Sequence, residues 1–283
     1  MINRYTGLLV LEVINSNPNG DPDADGAPRI RYDGRGEISP VSFKRKLRDL
    51  VEYKDGPVWK CLKENFSLED EKFAILESRG RDRKQIESEL KDGAKIFTEK
   101  YWDARLFGNT FLEEGMDKST IKTGIVQLGM GVSLSPVSTE AQTNTSKAGV
   151  EKDKDQGMAP LAYKIVTHGL YVMPFFVNPE YAAKTGCTQK DLDLMFALIP
   201  YAYSHNRSAI RPFVEVRQVW VCEHKNPLGS CSDYDIIKAL SPKRIAGNIN
   251  ESSSDISDYA LAEGLADDLK AKIKECRNLI EEI

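Results

Sequence analysis

The chain has 283 residues, of which 41% are hydrophobic and 29% are charged, and its formal net charge is −4. This mixture excludes a disordered or fibrous chain, and the length suffices for a sizeable core in one elaborated domain or two. No stretch approaches the roughly 20 apolar residues of a membrane span, and no small-residue cleavage site follows the start MINRYTGLLVLEV, so neither a membrane span nor a signal peptide is expected.

The charges are segregated along the chain. Residues 29–48 carry seven basic against two acidic side chains, a local charge of +5, whereas residues 251–283 carry nine acidic against four basic, a local charge of −5. A net negative charge taken alone argues against a nucleic-acid partner, but the average conceals a basic patch.

The five cysteines predict neither a disulfide framework nor a zinc cluster. Their number is odd and no C-x-x-C pair occurs. A reducing cytoplasm is therefore the expected compartment.

The first predicted elements are a buried strand over residues 5–14 and an amphipathic helix that begins after Ser39. Ser39 is a suitable N-cap and Pro40 suits the first helical position. The apolar stripe of this helix consists of Phe43, Leu47, Leu50 and Val51. Lys44 and Arg48 are four residues apart and share a flank beside the stripe.

The remaining elements alternate between core segments and polar excursions. They are a charged helical insertion over 56–100, a glycine-dotted strand over 121–135, a polar protrusion over 136–164, a strand IVTHGLYVMPFFV, a helix opened by Thr188, a last strand FVEVRQVWVCE and an acidic amphipathic helix over about 255–283. Without its insertions this order is βαββαβ, which predicts an α+β fold of the ferredoxin-like or RNA-recognition-motif kind.

The loop NPNGDPDADGAPR after the first strand allows several interpretations. Asp21, Asp23 and Asp25 match part of a calcium-binding loop, but its twelfth position is Tyr32, which has no carboxylate. A solvated turn explains the Asn, Asp, Gly and Pro content better than a calcium site does, because each of these residues favours tight turns. No dedicated metal site is predicted.

Four stretches resemble a known family: NPNGDPDADGAPR, SFKRKLRDLV, YWDARLFG and HNRSA. Together they are similar to the backbone subunit of Cascade, the repeated guide-RNA-binding subunit of type I CRISPR interference complexes, with the type I-C branch the nearest. The similarity runs from the first strand to about residue 240.

The resemblance implies a single elaborated domain with three parts. A palm would comprise about 1–55, 101–135 and 165–245, helical fingers about 56–100, and a thumb hairpin about 136–164. Copies would stack in a filament along one crRNA guide, which pairs with a target DNA strand, and would meet other Cascade subunits.

The resemblance also implies RNA contacts that ignore base sequence, which require Lys and Arg at phosphates and recognition of backbone shape. The predicted set is Arg29, Lys44, Arg45, Arg48, Gly124, Gln127, Arg207, Ser208 and Arg211, with Lys147, Lys152 and Lys154 in the thumb. An ordinary solvated helix face, turn or loop is the alternative for each charged group.

No catalytic residue and no cofactor are predicted. Because type III relatives cut RNA with an aspartate in the corresponding loop, a metal-dependent ribonuclease using Asp21, Asp23 and Asp25 is the alternative function. General acid–base cleavage by His168 and His205 would need both imidazoles at one phosphate, and structural roles are expected for both.

Overall fold

The computed structural model describes residues 2–79, 88, 98–109, 122–147 and 158–283. The strands are β1 (Tyr5–Ser16), β2 (Arg35–Ile38), β3 (Gly108–Asn109), β4 (Lys122–Thr123), β5 (Val126–Leu128), β6 (Gly131–Pro136), β7 (Thr139–Lys147), β8 (Met158–Val177), β9 (Phe213–His224), β10 (Lys243–Arg244), β11 (Tyr259–Ala260) and β12 (Ile273–Asn278). The helices are α1 (Pro40–Glu52), α2 (Pro57–Phe66), α3 (Trp102–Phe107), α4 (Ala182–Thr185), α5 (Gln189–Leu198), α6 (Asp233–Leu240) and α7 (Asp267–Lys270).

One large antiparallel sheet organises the molecule. Its strand order is β12-β9-β1-β8-β6-β2, and β5 and β7 also pair with β8. The central β1 pairs with β8 and with β9, both antiparallel. The prediction of a mixed α and β fold is confirmed.

The two faces of the sheet bury different layers. Side chains alternate along a strand, so Leu9 and Leu11 of β1 join the core beneath α1 and α5, while Leu8 and Val10 join a second core with Trp220. That second core is closed by α6 and by the C-terminal segment. Both faces are therefore covered.

Local capping fixes the two helices on the first face as the sequence predicts. The Ser39 hydroxyl accepts a hydrogen bond from Ser42 N at 3.2 Å, and Pro40 starts α1. At α5, Thr188 and Asp191 form a reciprocal capping box.

The predicted helical insertion over 56–100 is only partly a surface excursion. Val58, Trp59 and Leu62 of α2 are buried in the same core as α1. The prediction of a surface segment is therefore wrong for α2, whose apolar face packs on the main core. Residues 80–87 and 89–97 of the predicted insertion lie outside the described residues.

A two-stranded ribbon leaves the sheet where the thumb hairpin is predicted. β7 pairs with the first half of β8, from Thr139 opposite Val166 to Lys147 opposite Met158, while the second half of β8 pairs with β1. Lys152 and Lys154 lie outside the described residues, as does the side chain of Lys147.

The acidic helix predicted over about 255–283 is wrong. This segment contains β11, the four-residue α7 and β12, and β12 pairs with β9 as an edge strand of the sheet. Ile273 and Tyr259 of this segment bury their side chains in the second core. This long-range burial outweighs the helical tendency of the acidic stretch.

The prediction that the chain contains no disulfide framework is also wrong. Cys222 of β9 and Cys276 of β12 lie directly opposite each other and are joined by a disulfide. The bond fastens the edge strand to its neighbour.

No helix among the described residues combines the length and the apolar character needed to cross a membrane.

Candidate nucleic-acid interface

The loop after β1 is a tightly bonded turn. The Asp21 side chain accepts a hydrogen bond from Asp23 N at 3.2 Å, and the Asp21 carbonyl accepts one from Gly26 N at 2.8 Å. Asp25 adopts a left-handed backbone conformation with φ of 54°, and the side chains of Asp23 and Asp25 are exposed. The described residues contain no group of three or more His, Cys, Asp or Glu side chains arranged to hold a metal.

Two buried asparagines attach this loop to the rest of the molecule. Asn19 Oδ1 accepts a hydrogen bond from Ser39 N at 2.7 Å, which fixes the start of α1. Asn17 Nδ2 donates to Gly26 O at 2.8 Å, and Asn17 O accepts from Arg211 Nε at the same distance. The loop thereby sets the position of α1 relative to the 206–211 turn. Sequence reasoning placed these asparagines in a turn but missed this positioning role.

The predicted RNA contact at Arg48 is wrong. Its side chain is 3% exposed, and it forms ion pairs with Asp103 and with Glu77, both at 2.9 Å. Asp103 also accepts hydrogen bonds from Leu76 N and Glu77 N. Arg48 therefore ties α1 to residues 76–77 and to α3.

Arg45 and Lys44 are also engaged with the protein. Arg45 donates to the carbonyl of Glu77 and lies 3.8 Å from carboxylate oxygens of Asp49 and Glu52. The Lys44 ammonium lies 4.9 Å from the centre of the Phe107 ring, and burial lowers its pKa. Lys44 forms no ion pair among the described residues, so its RNA role stays a prediction.

Lys46 and Arg211 form a second group of basic residues, on a different side of α1. Lys46 is 7% exposed. Burial, followed by the nearby positive charge of Arg211, lowers its pKa to about 8, while Asp49 acts in the opposite direction. Burial also lowers the pKa of Arg211, partly offset by Tyr203. Within the described ranges, neither cation forms an ion pair with a carboxylate.

Unpartnered polar atoms lie beside these cations. Among the described residues, Asn17 Oδ1 and Tyr203 OH are buried without a hydrogen-bond partner in the protein, and so is the Nε of Arg29, farther along the loop. We refer to Lys46, Arg211, Asn17 and Tyr203 as the Lys46 cluster. Buried polar atoms normally have partners, so atoms without one suggest a site for a polar ligand.

The Lys46 cluster is held by a side chain of the 206–211 turn. Asn206 Nδ2 donates to Lys46 O at 3.2 Å and to Ala202 O at 2.9 Å. Lys46 is the functional candidate that sequence reasoning missed, although a signal was present. It follows Phe43 by three residues and therefore lies at the edge of the buried stripe of α1.

Arg207 and Ser208 lie at the outer side of this turn. Arg207 forms an exposed ion pair with Glu215 at 2.9 Å, and its guanidinium lies 5.7 Å from the Phe213 ring centre. Ser208 is exposed and is bonded through its backbone to Arg211. Their RNA roles stay predictions.

Gly124 does not provide the close approach to a phosphate that was predicted. A Cβ at this buried glycine would lie 2.2–2.4 Å from backbone atoms of residues 106–108. The glycine is therefore required by the contact between the β4–β5 connection and the end of α3. The exposed Gln127 donates to Gly124 O at 3.1 Å.

The two histidines have unrelated surroundings. His168 is buried, with Nδ1 2.7 Å from Ser253 Oγ and Nε2 3.2 Å from Glu12 Oε1. His205 is exposed and packs edge-on against Tyr201. Both ring nitrogens of His168 are occupied by the protein, in agreement with the expected structural role.

The Lys46 cluster thus joins two cations to buried polar atoms on one side of α1, and the family of the chain is shown by its sequence. The model of the family described as CRISPR-associated protein Cas7 matches residues 3–262. The chain therefore belongs to the Cas7 family.

One relative and two solved structures are also similar. The CRISPR-associated protein Cas7 of Haloferax volcanii is 28% identical over 214 residues, which are 70% of this chain and 63% of that protein. A chain of a CRISPR RNA-guided surveillance complex in a pre-nicking state has a TM-score of 0.49 at 16% identity, over 78% of both chains. A chain of a second CRISPR RNA-guided surveillance complex has a TM-score of 0.41 at 18% identity, over 77% of this chain and 69% of that one.

Proposed function

We propose that this Cas7 family member is a non-catalytic backbone subunit that holds a crRNA guide through the Lys46 cluster. One observation carries the proposal: Lys46 is buried beside the partly exposed Arg211, neither cation pairs with a carboxylate among the described residues, and polar atoms without partners lie next to them. Burying cations without a counter-charge is costly. A phosphate group would supply the missing charge and accept the available hydrogen bonds.

The covered sheet supports placing the RNA at this cluster. In RNA-recognition motifs, bases stack on an open face of the sheet. Here one face is covered by α1 and α5, and the other by α6 and the C-terminal segment. The Lys46 cluster, midway along α1, is the alternative to that platform.

We interpret the central strand order β9-β1-β8-β6 as a ferredoxin-like palm, and the β7–β8 ribbon as its thumb. In this proposal, copies of the chain associate side by side along one guide in the cytoplasm, with other Cascade subunits, and the guide pairs with target DNA. Assignment to the type I-C branch belongs to the same proposal.

The experiment is to purify the protein with its CRISPR locus expressed and to sequence the RNA that remains bound. A uniform small RNA of repeat-plus-spacer type is the expected result. Random cellular fragments, or no RNA, would contradict the proposal.

A separate experiment tests the non-catalytic part. Asp21 caps its own turn and Asp23 and Asp25 point to solvent, so we expect a paired target RNA to stay intact with Mg²⁺ or Mn²⁺. Metal-dependent cleavage that Asp21→Ala abolishes would establish the ribonuclease alternative instead.

A further inference from the structure

A short hairpin between the Asn17–Arg29 loop and α1 projects an aromatic side chain into solvent. Its tip is a turn in which Gly34 N donates to Arg31 O at 3.0 Å, and the strands close with Arg31 N donating to Arg35 O at 2.8 Å. Gly34 has φ of +79°, a conformation that favours glycine. At the tip, Tyr32 is 99% exposed.

The hairpin is anchored at both ends. Arg29 N donates to Asn19 O at 3.0 Å, next to Asn17 of the Lys46 cluster. On the opposite side, Val137 N donates to Gly34 O at 3.0 Å, at the point where the β7–β8 ribbon leaves the sheet. Tyr32 is therefore held on a braced turn between the cluster and the ribbon.

Two arginines flank Tyr32 in the hairpin, and they differ in their partners. Arg31 lies 3.8 Å from both Asp33 and Glu37, which partly neutralise it. Arg35 has no ion-pair partner among the described residues. An aromatic ring beside arginines is a recurrent arrangement for single-stranded nucleic acid, because every base can stack on the ring while the cations attract the backbone.

We propose that Tyr32 stacks on a nucleobase of the bound RNA, which adds a base contact without sequence preference to the phosphate contacts of the Lys46 cluster. This inference rests on the proposed function and specifies the ligand further, as single-stranded RNA with an accessible base at the root of the ribbon. The exposed tyrosine is not required by the fold, because its ring is almost wholly outside the protein.

The test compares RNA with an abasic oligonucleotide of the same backbone and length. Tyr32→Ala should weaken binding of the RNA about five- to hundredfold, whereas Tyr32→Phe should bind normally because it keeps the ring. The salt dependence of binding should not change in Tyr32→Ala, since no phosphate contact is removed. On the abasic oligonucleotide, Tyr32→Ala and the parent should bind equally.

Tyr234→Ala is the matched control, because Tyr234 is 72% exposed and lies on α6, over the other sheet face. Parent-like binding of the RNA by Tyr32→Ala would overturn the stacking contact alone. Failure of the parent to bind RNA would overturn the proposed function, and this contact with it. If Tyr32→Ala instead abolished self-association in RNA-free sedimentation, the hairpin would be a protein contact and the proposal would be wrong.

Discussion

The two groups of basic residues on α1 have opposite surroundings. Arg48 is buried against Asp103 and Glu77, whereas Lys46 is buried beside Arg211 with no carboxylate in an ion pair. The first arrangement satisfies its charges within the protein and holds the fold together. The second concentrates positive charge that no ion pair among the described residues neutralises. Burial of a cation therefore indicates function only when its counter-charge is missing.

The largest expected effect is a loss of stability when the ion pairs of Arg48 are removed. Arg48→Met leaves the buried Asp103 without its cation and should lower the free energy of unfolding by about 3–5 kcal/mol, measured by urea denaturation. A variant with parent-like stability but weakened RNA binding would reverse the roles assigned to the two groups.

Lys46→Met should act in the opposite direction on stability. Because burial depresses the Lys46 pKa to about 8, the charged lysine destabilises the fold, and its removal should raise the free energy of unfolding by about 1–3 kcal/mol. A clear loss of stability in the same urea titration would mean that Lys46 is structural.

For RNA affinity we expect the large loss at Lys46 and Arg211 instead of at Arg48. Lys46→Ala combined with Arg211→Ala should reduce affinity roughly 10- to 100-fold near 0.1 M salt and should lower the slope of log K against log salt by about 1.4, or 0.7 per contact. The measurement is fluorescence anisotropy at several salt concentrations, with Lys238→Ala as the control, because Lys238 is an exposed lysine on α6, away from the cluster. An unchanged slope would contradict phosphate contact at this cluster.

The pH dependence of RNA affinity tests whether Lys46 itself contacts the phosphate. The folded-state pKa of Lys46 is about 8, below the ordinary value of 10.5. The ammonium group of the free protein therefore loses its proton as the pH rises through 8. Above this pH, binding of RNA requires that Lys46 take up a proton. Affinity should fall about tenfold between pH 7 and 9. Lys46→Arg, which stays charged, should bind with little change over this range; an equal fall in this variant would assign the titration to another group.

The smallest effect is expected at Lys44. Its ammonium contacts the Phe107 ring from a partly buried position, so Lys44→Ala should cost about 0.5–1 kcal/mol of stability. If Lys44 also reaches one phosphate, affinity falls about fourfold or less, by the same anisotropy measurement.

The order of the central elements could be predicted because it depends on local patterns. A hydrophobic periodicity or a helix cap is present in the sequence of each of these elements, which are β1, α1, β8, α5 and β9. The edge strand β12 could not be predicted in this way. Residues 251–283 around it include nine acidic side chains, and the segment forms a strand only because it pairs with β9.

The candidate site was predictable only in outline. The basic character of α1 was visible, but Arg48 and Lys46 differ by partners that lie far away in sequence. Asp103 is supplied by α3 and Arg211 by the turn before β9. Helical spacing alone cannot tell which basic side chain will meet a carboxylate after folding.

The central position of β1 has a consequence for synthesis on the ribosome. Ile14 pairs with His168 on one side and with Phe213 on the other, so the first strand stays without partners until most of the chain has been translated. Such non-local pairing slows folding and leaves an apolar strand open to aggregation meanwhile. Nascent chains stalled before residue 158 should depend on chaperones for as long as β8 is missing.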